Sequence, residues 1–247
     1  MIRSKRRLGV VLGLCLLALG LVGASSAQAT MHWNVEGKPL AAATEVEAAL
    51  DEVGILHTKI GGNTVLFECK KGELKEVFLE LEGKVKGGDV KFSECVTRIN
   101  GTVNPVCEPI GPLGEKGVIL TNPGDGLIVL HKLEKDGVLA DITSFESLVK
   151  ETIGGVSEFV FARIKMSTEC PIGSNIPVIG PRVTLIDITN GVADGKEILK
   201  ELLTHLVEVG PLTELWALSL TEEHKATILG KAKVNLVNDK LWSGDPE

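Results

Sequence analysis

Apolar residues in this chain come in short runs, and that limits what it can fold into. TVLFEC (64–69), DVKFSEC (89–95), GVILT (117–121), GLIVLHKL (126–133), GVLADIT (137–143), EFVFARIKM (158–166) and RVTLIDI (182–188) are each bounded by Gly, Pro, Asn or Asp. ELWALSL (214–220), KATIL (225–229) and KAKVNLV (231–237) continue the series, with TEEH and NDK as connections. Runs this short, rich in Val and Ile and separated by turn residues, read as strands. The pattern predicts a mainly β fold, an antiparallel barrel or sandwich of short strands, disulfide-stapled and with one or two short helices.

Two segments depart from the strand pattern. Thr44 and Glu47 form a capping box ahead of Val46, Ala49, Leu50 and Val53, and Gly54 is placed to end a short helix. In DGKEILKELLTHLVEVGP the apolar positions 198, 199, 202, 203, 206 and 207 follow helical spacing. Asp194 can cap that helix and Gly210-Pro211 can end it, although THLVEV also reads as extended, because short apolar stretches are ambiguous by period alone.

The N-terminus has a basic head (Arg3, Lys5, Arg6, Arg7), an apolar run from Leu8 to Ala24 and an Ala27-Gln28-Ala29 ending. This predicts a secretory signal peptide over residues 1–29, cleaved after Ala29, followed by a single β-rich extracytoplasmic domain over 30–247. An uncleaved anchor is the competing reading, since the apolar run approaches the length needed to cross a bilayer. Nothing after Ala29 reads as a membrane span. With the four leader charges removed, 22 basic residues stand against 33 acidic ones, a net charge of −11. Such a surface repels nucleic acid, which is not an expected partner, and keeps an exported protein soluble.

Four cysteines follow the leader: Cys69, Cys95, Cys107 and Cys170. They form no Cys-x-x-Cys and have no nearby His pair, so a structural metal site is not expected. Glu68, Glu94 and Glu169 each precede a cysteine and Glu108 follows the fourth; a neighbouring carboxylate disfavours the thiolate that reactivity requires. An even count in an exported chain points to disulfides, with three connectivities open. Asn100-Gly101 is a strong type I′ hairpin signal. If Ile99 pairs with Thr102, Cys95 faces Val106, one residue out of register with Cys107, and a bulge at Pro105 would restore the match. That favours Cys95 with Cys107 and, by elimination, Cys69 with Cys170, contributing about 3 and about 4.7 kcal/mol on a chain-entropy estimate.

Signatures of chemistry are scarce. His32, His57, His131, His205 and His224 are scattered, with no HExxH and no close pair. No Gly-x-Ser-x-Gly, P-loop or dinucleotide fingerprint is present. Gly111, Gly114 and Gly117 in EPIGPLGEKG lack the strand-to-helix context of a phosphate site and read as a loop. Glu73, Glu76, Glu80 and Glu82 could supply an acid–base pair, but their near-alternation with Leu74, Val77, Leu79 and Leu81 fits a solvated strand face. Asn100-Gly101-Thr102 also matches a glycosylation sequon, though the turn accounts for the same residues. With three Trp, six Phe and no Tyr, surfaces built on stacked rings lose weight. Trp216 is expected in the core, and Trp33 and Trp242 are placed to help close the fold.

The stretches CEPIGPLGEKGVILTNPGDGLIVLHKL, FARIKMSTECPIGSNIPVIG and GPLTELWALSLTEEHKATILGKAKVNL…LWSG resemble a family of secreted bacterial proteins with no assigned activity. The resemblance runs from about Trp33 to Gly244 and implies a secreted single domain; no catalytic residue transfers with it. The expected function is non-enzymatic: binding of a small or apolar ligand, or service as an envelope or surface component. No cofactor is expected and no catalytic residue is assigned. The alternative is a secreted hydrolase whose carboxylate and His groups, such as His131 or His224 with two acids, converge from distant strands.

Overall fold

A computed structural model describes residues 32–132, 139–187, 205–209, 214–218 and 223–245. The expected leader, residues 1–29, lies outside them. In chain order the strands are β1 (His32–Val35), β2 (Lys38–Pro39), β3 (Thr44–Leu50), β4 (Gly54–Ile60), β5 (Asn63–Leu79), β6 (Lys84–Lys86), β7 (Asp89–Ile99) and β8 (Thr102–Val103). A 3-10 turn (Pro105–Cys107) precedes β9 (Ile119–Leu120), β10 (Gly124–Lys132), β11 (Leu139–Ser147), β12 (Lys150–Ile153) and β13 (Val156–Lys165). The series ends with β14 (Asn175–Asp187), β15 (His205–Val209), β16 (Glu214–Leu218), β17 (Glu223–Leu236) and β18 (Trp242–Asp245). The fold is mainly β and antiparallel, as the short runs predict.

Neither expected helix is found among the described residues. Thr44–Leu50 is strand β3: Val46, Ala48 and Leu50 turn inward while Glu47 and Ala49 are exposed, a period of two. Ladders to β5 and β17 satisfy its backbone on both sides, which outweighs a local capping box. Thr44 Oγ1 donates to the carbonyl of Ala42 at 3.1 Å instead. Most of the second expected helix, from its cap at Asp194 to residue 204, lies outside the described residues. Its last turn is strand β15, paired with β14 and β17, so the extended reading holds there. Among the described residues no helix is long and apolar enough to cross a membrane.

The three longest of the described strands are β5, β14 and β17, of 17, 13 and 14 residues. Each changes neighbours part-way along. β5 leaves β4 and β7 for β3 and β6; β14 leaves β13 and β16 for β11 and β15; β17 leaves β4 and β16 for β3 and β15. A glycine stands at each crossing, Gly72, Gly180 and Gly230. Pairings on one side of that level run β3–β5–β6–β10–β11–β14–β15–β17 and return to β3. On the other side they run β4–β5–β7–β9, pass through the Thr121–Ala162 bridge to β13, and return through β14, β16 and β17.

Two apolar clusters correspond to these two levels. One gathers Val65, Phe67, Ile164, Ile176 and Val178 with all four cysteines. The other gathers Val46, Val77, Leu79, Val85 and Leu236 with Trp33 and Trp242. Phe145 packs against both. The tryptophans meet edge-on at 5.6 Å, and Trp33 Nε1 donates to the carbonyl of Lys84 at 2.8 Å. They lie on a three-stranded sheet, β18-β1-β2, which joins the two ends of the described chain. Trp216 lies on β16, with its side chain outside the described set.

The cysteines form two disulfides, as expected, but with another connectivity: Cys69 to Cys95 and Cys107 to Cys170. The hairpin itself forms as predicted. Asn100 and Gly101 take φ of 49° and 83°, and Ile99 pairs with Thr102. β8 stops at Val103, however, and Asn104 caps the 3-10 turn that carries Cys107 away from the ladder. Cys95 therefore faces the other neighbour of β7, where Cys69 is its register partner at a Cα separation of 3.9 Å. Thr97 Oγ1 donates to the carbonyl of buried Cys107 at 2.5 Å and fixes it for Cys170. Two buried disulfides suit an oxidising, extracytoplasmic environment.

Candidate functional site

Between the two cores, at the level of the crossing glycines, the interior holds three adjoining apolar cavities. The largest, about 120 Å³, is walled by Leu50, Gly72, Leu74, Phe92, Ile228 and Ala232, among others. A second, about 50 Å³, reaches toward Phe67, Cys69, Ile164 and Val178. A third, about 80 Å³, extends past Leu74 and Val90 to Asn122, Phe145 and Ser147. Phe161 lines all three. Interiors of native proteins contain few voids larger than a water molecule, so contiguous space of this extent is a feature rather than residue of packing.

Strand irregularities create that space. Along β5 the inward positions run 65, 67, 69, then 72 and half-buried 74, then 77, 79, so the inward phase flips twice. Along β7 it flips once, between Phe92 and Cys95, where Glu94 adopts φ of 53°. The second flip in β5 is a bulge against β3, with Glu76 at φ of 58°. In β13 the register shifts between Val160 and Ala162, so Phe161 is the extra residue of a bulge. A bulge re-aims a side chain, and here it sets Phe161 among the three cavities.

The glycines form a recess on one wall. A Cβ on Gly72 would stand 2.9 Å from Leu50 Cγ and 3.0 Å from Phe92 Cδ1, and one on Gly54 would stand 3.0 Å from Leu50 Cδ1. A Cβ on Gly230 would lie 3.3 Å from the Cα of Gly54 and 3.8 Å from Leu50 Cδ2. The Leu50 side chain thus occupies the room that three strands leave by having no side chain at this level. Leu229, 46% exposed, and Ala49 also line the 120 Å³ cavity, which brings it toward the surface where β3 breaks from β4.

The polar groups along this interior are bonded to backbone. Ser147 Oγ and Asn122 Nδ2 donate to the carbonyl of Val160 at 2.6 and 2.7 Å, a carbonyl beside the bulge. Thr121 Oγ1 accepts from the amide of Val90 at 2.8 Å. Exposed Glu146 lines the third cavity at its outer side. The walls are almost wholly apolar and can hold apolar matter.

The charged candidates lie elsewhere. Glu73, Glu76 and Glu82 are exposed on β5 and the turn after it, the solvated face that their alternation predicts, and Glu80 is half-buried there. A hydrogen bond from Lys75 holds the Glu73 carboxyl below its usual range, and Lys84 does the same for Glu82. Glu94 is lowered likewise by its bond with Lys71. His224 and His205 are far apart: His224 lies on β17 and His205 pairs with Val234, ten residues or about 33 Å further along that strand. The side chains of His131, His205 and His224 lie outside the described set. Among the described residues no group of three or more His, Cys, Asp and Glu is gathered as a metal would need. Loop 111–117 forms tight turns, with Gly117 against the Cys95 backbone.

Sequence reasoning named Cys69, Ala49, Leu50 and Leu74 only in structural roles and did not foresee a cavity. The available signal was a glycine between neighbouring apolar stretches, at Gly72 and at Gly230, where a close backbone approach is one reading.

Fold and interior together define an antiparallel β protein with an apolar internal site. Comparison with protein-family models, with curated proteins and with solved structures gives no match for this chain.

Proposed function

We propose that the protein is an exported, disulfide-bonded β-barrel that binds a small apolar ligand in its interior. The observation carrying this reading is the set of three adjoining cavities between the two cores, meeting at Phe161. A void of about 120 Å³ costs a core about 3 kcal/mol unless something packs into it, a large part of the margin by which a domain is stable. The returning order of pairings supports a barrel, the architecture that encloses a ligand when eight strands surround it. The leader-like N-terminus and the buried disulfides support export.

Native mass spectrometry of the exported, purified protein, compared with its denatured mass, tests the reading. A small-molecule increment seen only under native conditions is the expected result. A bare monomer, unchanged after incubation with apolar compounds, would overturn it and leave an envelope or surface component as the better account.

A further inference from the structure

The shape of the interior says what kind of molecule fits. The cavities measure about 120, 80 and 50 Å³. Each is smaller than the roughly 150 Å³ apolar cavity known to take up benzene. None of them alone offers that much room, whereas a flexible chain can occupy more than one across their shared lining at Phe161. The walls of the two cavities nearest Gly54 offer only the Thr121 hydroxyl as a polar side-chain group, and that group is engaged with the Val90 amide. At one side the 120 Å³ cavity ends on Leu50, whose isopropyl group fills the recess of Gly54, Gly72 and Gly230.

We propose that the occupant is an unbranched aliphatic chain and that Leu50 is the residue that sets its length. This rests on the ligand-binding reading above. The three glycines leave the recess without side chains of its own, so whatever space Leu50 gives up passes to the cavity rather than to a neighbour. Truncating Leu50 lengthens the site, and the added room continues the path of the chain.

The test uses straight-chain primary alcohols, namely octanol, decanol and dodecanol, with adamantanol as a rigid globular probe. Each is titrated into the full exported protein and into Leu50→Ala and Leu50→Val. Thermal unfolding confirms that each variant is folded, and the valine keeps the question open if the alanine does not fold. In the wild type the straight-chain alcohols bind and adamantanol does not. In the variants the preferred alcohol becomes longer, with about a fourfold gain in affinity for each further methylene buried, more for alanine than for valine.

An unchanged order of preference in a folded variant would overturn the role of Leu50 while leaving ligand binding intact. Tighter binding of adamantanol than of any straight-chain alcohol would overturn the linear occupant. A wild type that binds none of the probes would bring down this inference together with the ligand-binding reading.

Discussion

Glu151 on β12 accepts from Arg163 Nε on β13 at 2.8 and 3.1 Å through its two oxygens, and Arg163 Nη2 also reaches it. The same guanidinium donates to Asn175 Oδ1 on β14 at 3.2 Å, so one side chain ties three strands. The Arg163 hydrogen bond holds the Glu151 carboxyl below its ordinary range. A carboxyl lowered on folding contributes stability that is present above its unfolded pKa and is lost as pH falls through the folded one. The unfolding free energy of Glu151→Gln, measured in urea, is therefore expected below that of the wild type at neutral pH, by about 1 kcal/mol or less for a pair this accessible. The difference should shrink as pH falls below the carboxylate range; a constant gap would sink the assignment. At this scale the sequence was legible where chemistry is local. Asn100-Gly101 dictated its turn because both residues must take positive φ. It was opaque where a partner is distant: the Asn100 amide donates to Asn63 Oδ1 at 2.8 Å and its oxygen accepts from the Thr64 amide at 3.0 Å. A glycan on Asn100 would attach to the same nitrogen that donates to Asn63.

Strands were legible in kind but not in extent. The runs at 64–69 and 73–81 belong largely to one strand, β5, and those at 225–229 and 231–237 largely to β17. A glycine in a strand ordinarily suggests a break or a close approach, and here close approach is the reason. Gly72→Ala should destabilise by about 2 kcal/mol through overpacking against Leu50 and Phe92. In a Leu50→Ala background the same change should cost clearly less, a coupling that a double-mutant cycle in urea would measure. Equal costs in both backgrounds would mean that the recess is not shared. The disulfide connectivity was misread for a related reason: the hairpin partner of β7 was visible in sequence, whereas β5, on its other side, was not. Peptide mapping without reduction should recover Cys69 linked to Cys95 and Cys107 linked to Cys170. Replacing each pair by serine should cost about 3.5 and about 4.3 kcal/mol, in that order, on the chain-entropy estimate.

For the molecule as a whole, the mainly β class followed from run length and turn residues, but the interior did not. Its cavities arise from three bulged or phase-shifted strands and from glycines on different strands that converge on Leu50, and such convergence leaves no mark on any single stretch. Filling the largest cavity from within is the direct check on its cost. Ala232→Leu, on β17 opposite Leu50, should raise stability by about 1–2 kcal/mol. It should also abolish any small-molecule increment in the native mass; a destabilised variant would mean that the space is not available to a side chain.

The sheet that seals the described chain pairs His32 with Asp245 and Val35 with Trp242. The ends of the described chain are thus neighbours, so the architecture of these strands does not depend on which of them comes first along the loop. A permuted chain, joined between those ends and opened at the exposed Gly61-Gly62 turn, retains every strand pairing described above. The same adjacency lets one short linker replace the terminal sheet as the fastening of the fold, and makes the two ends a single attachment point for a carrier or a surface.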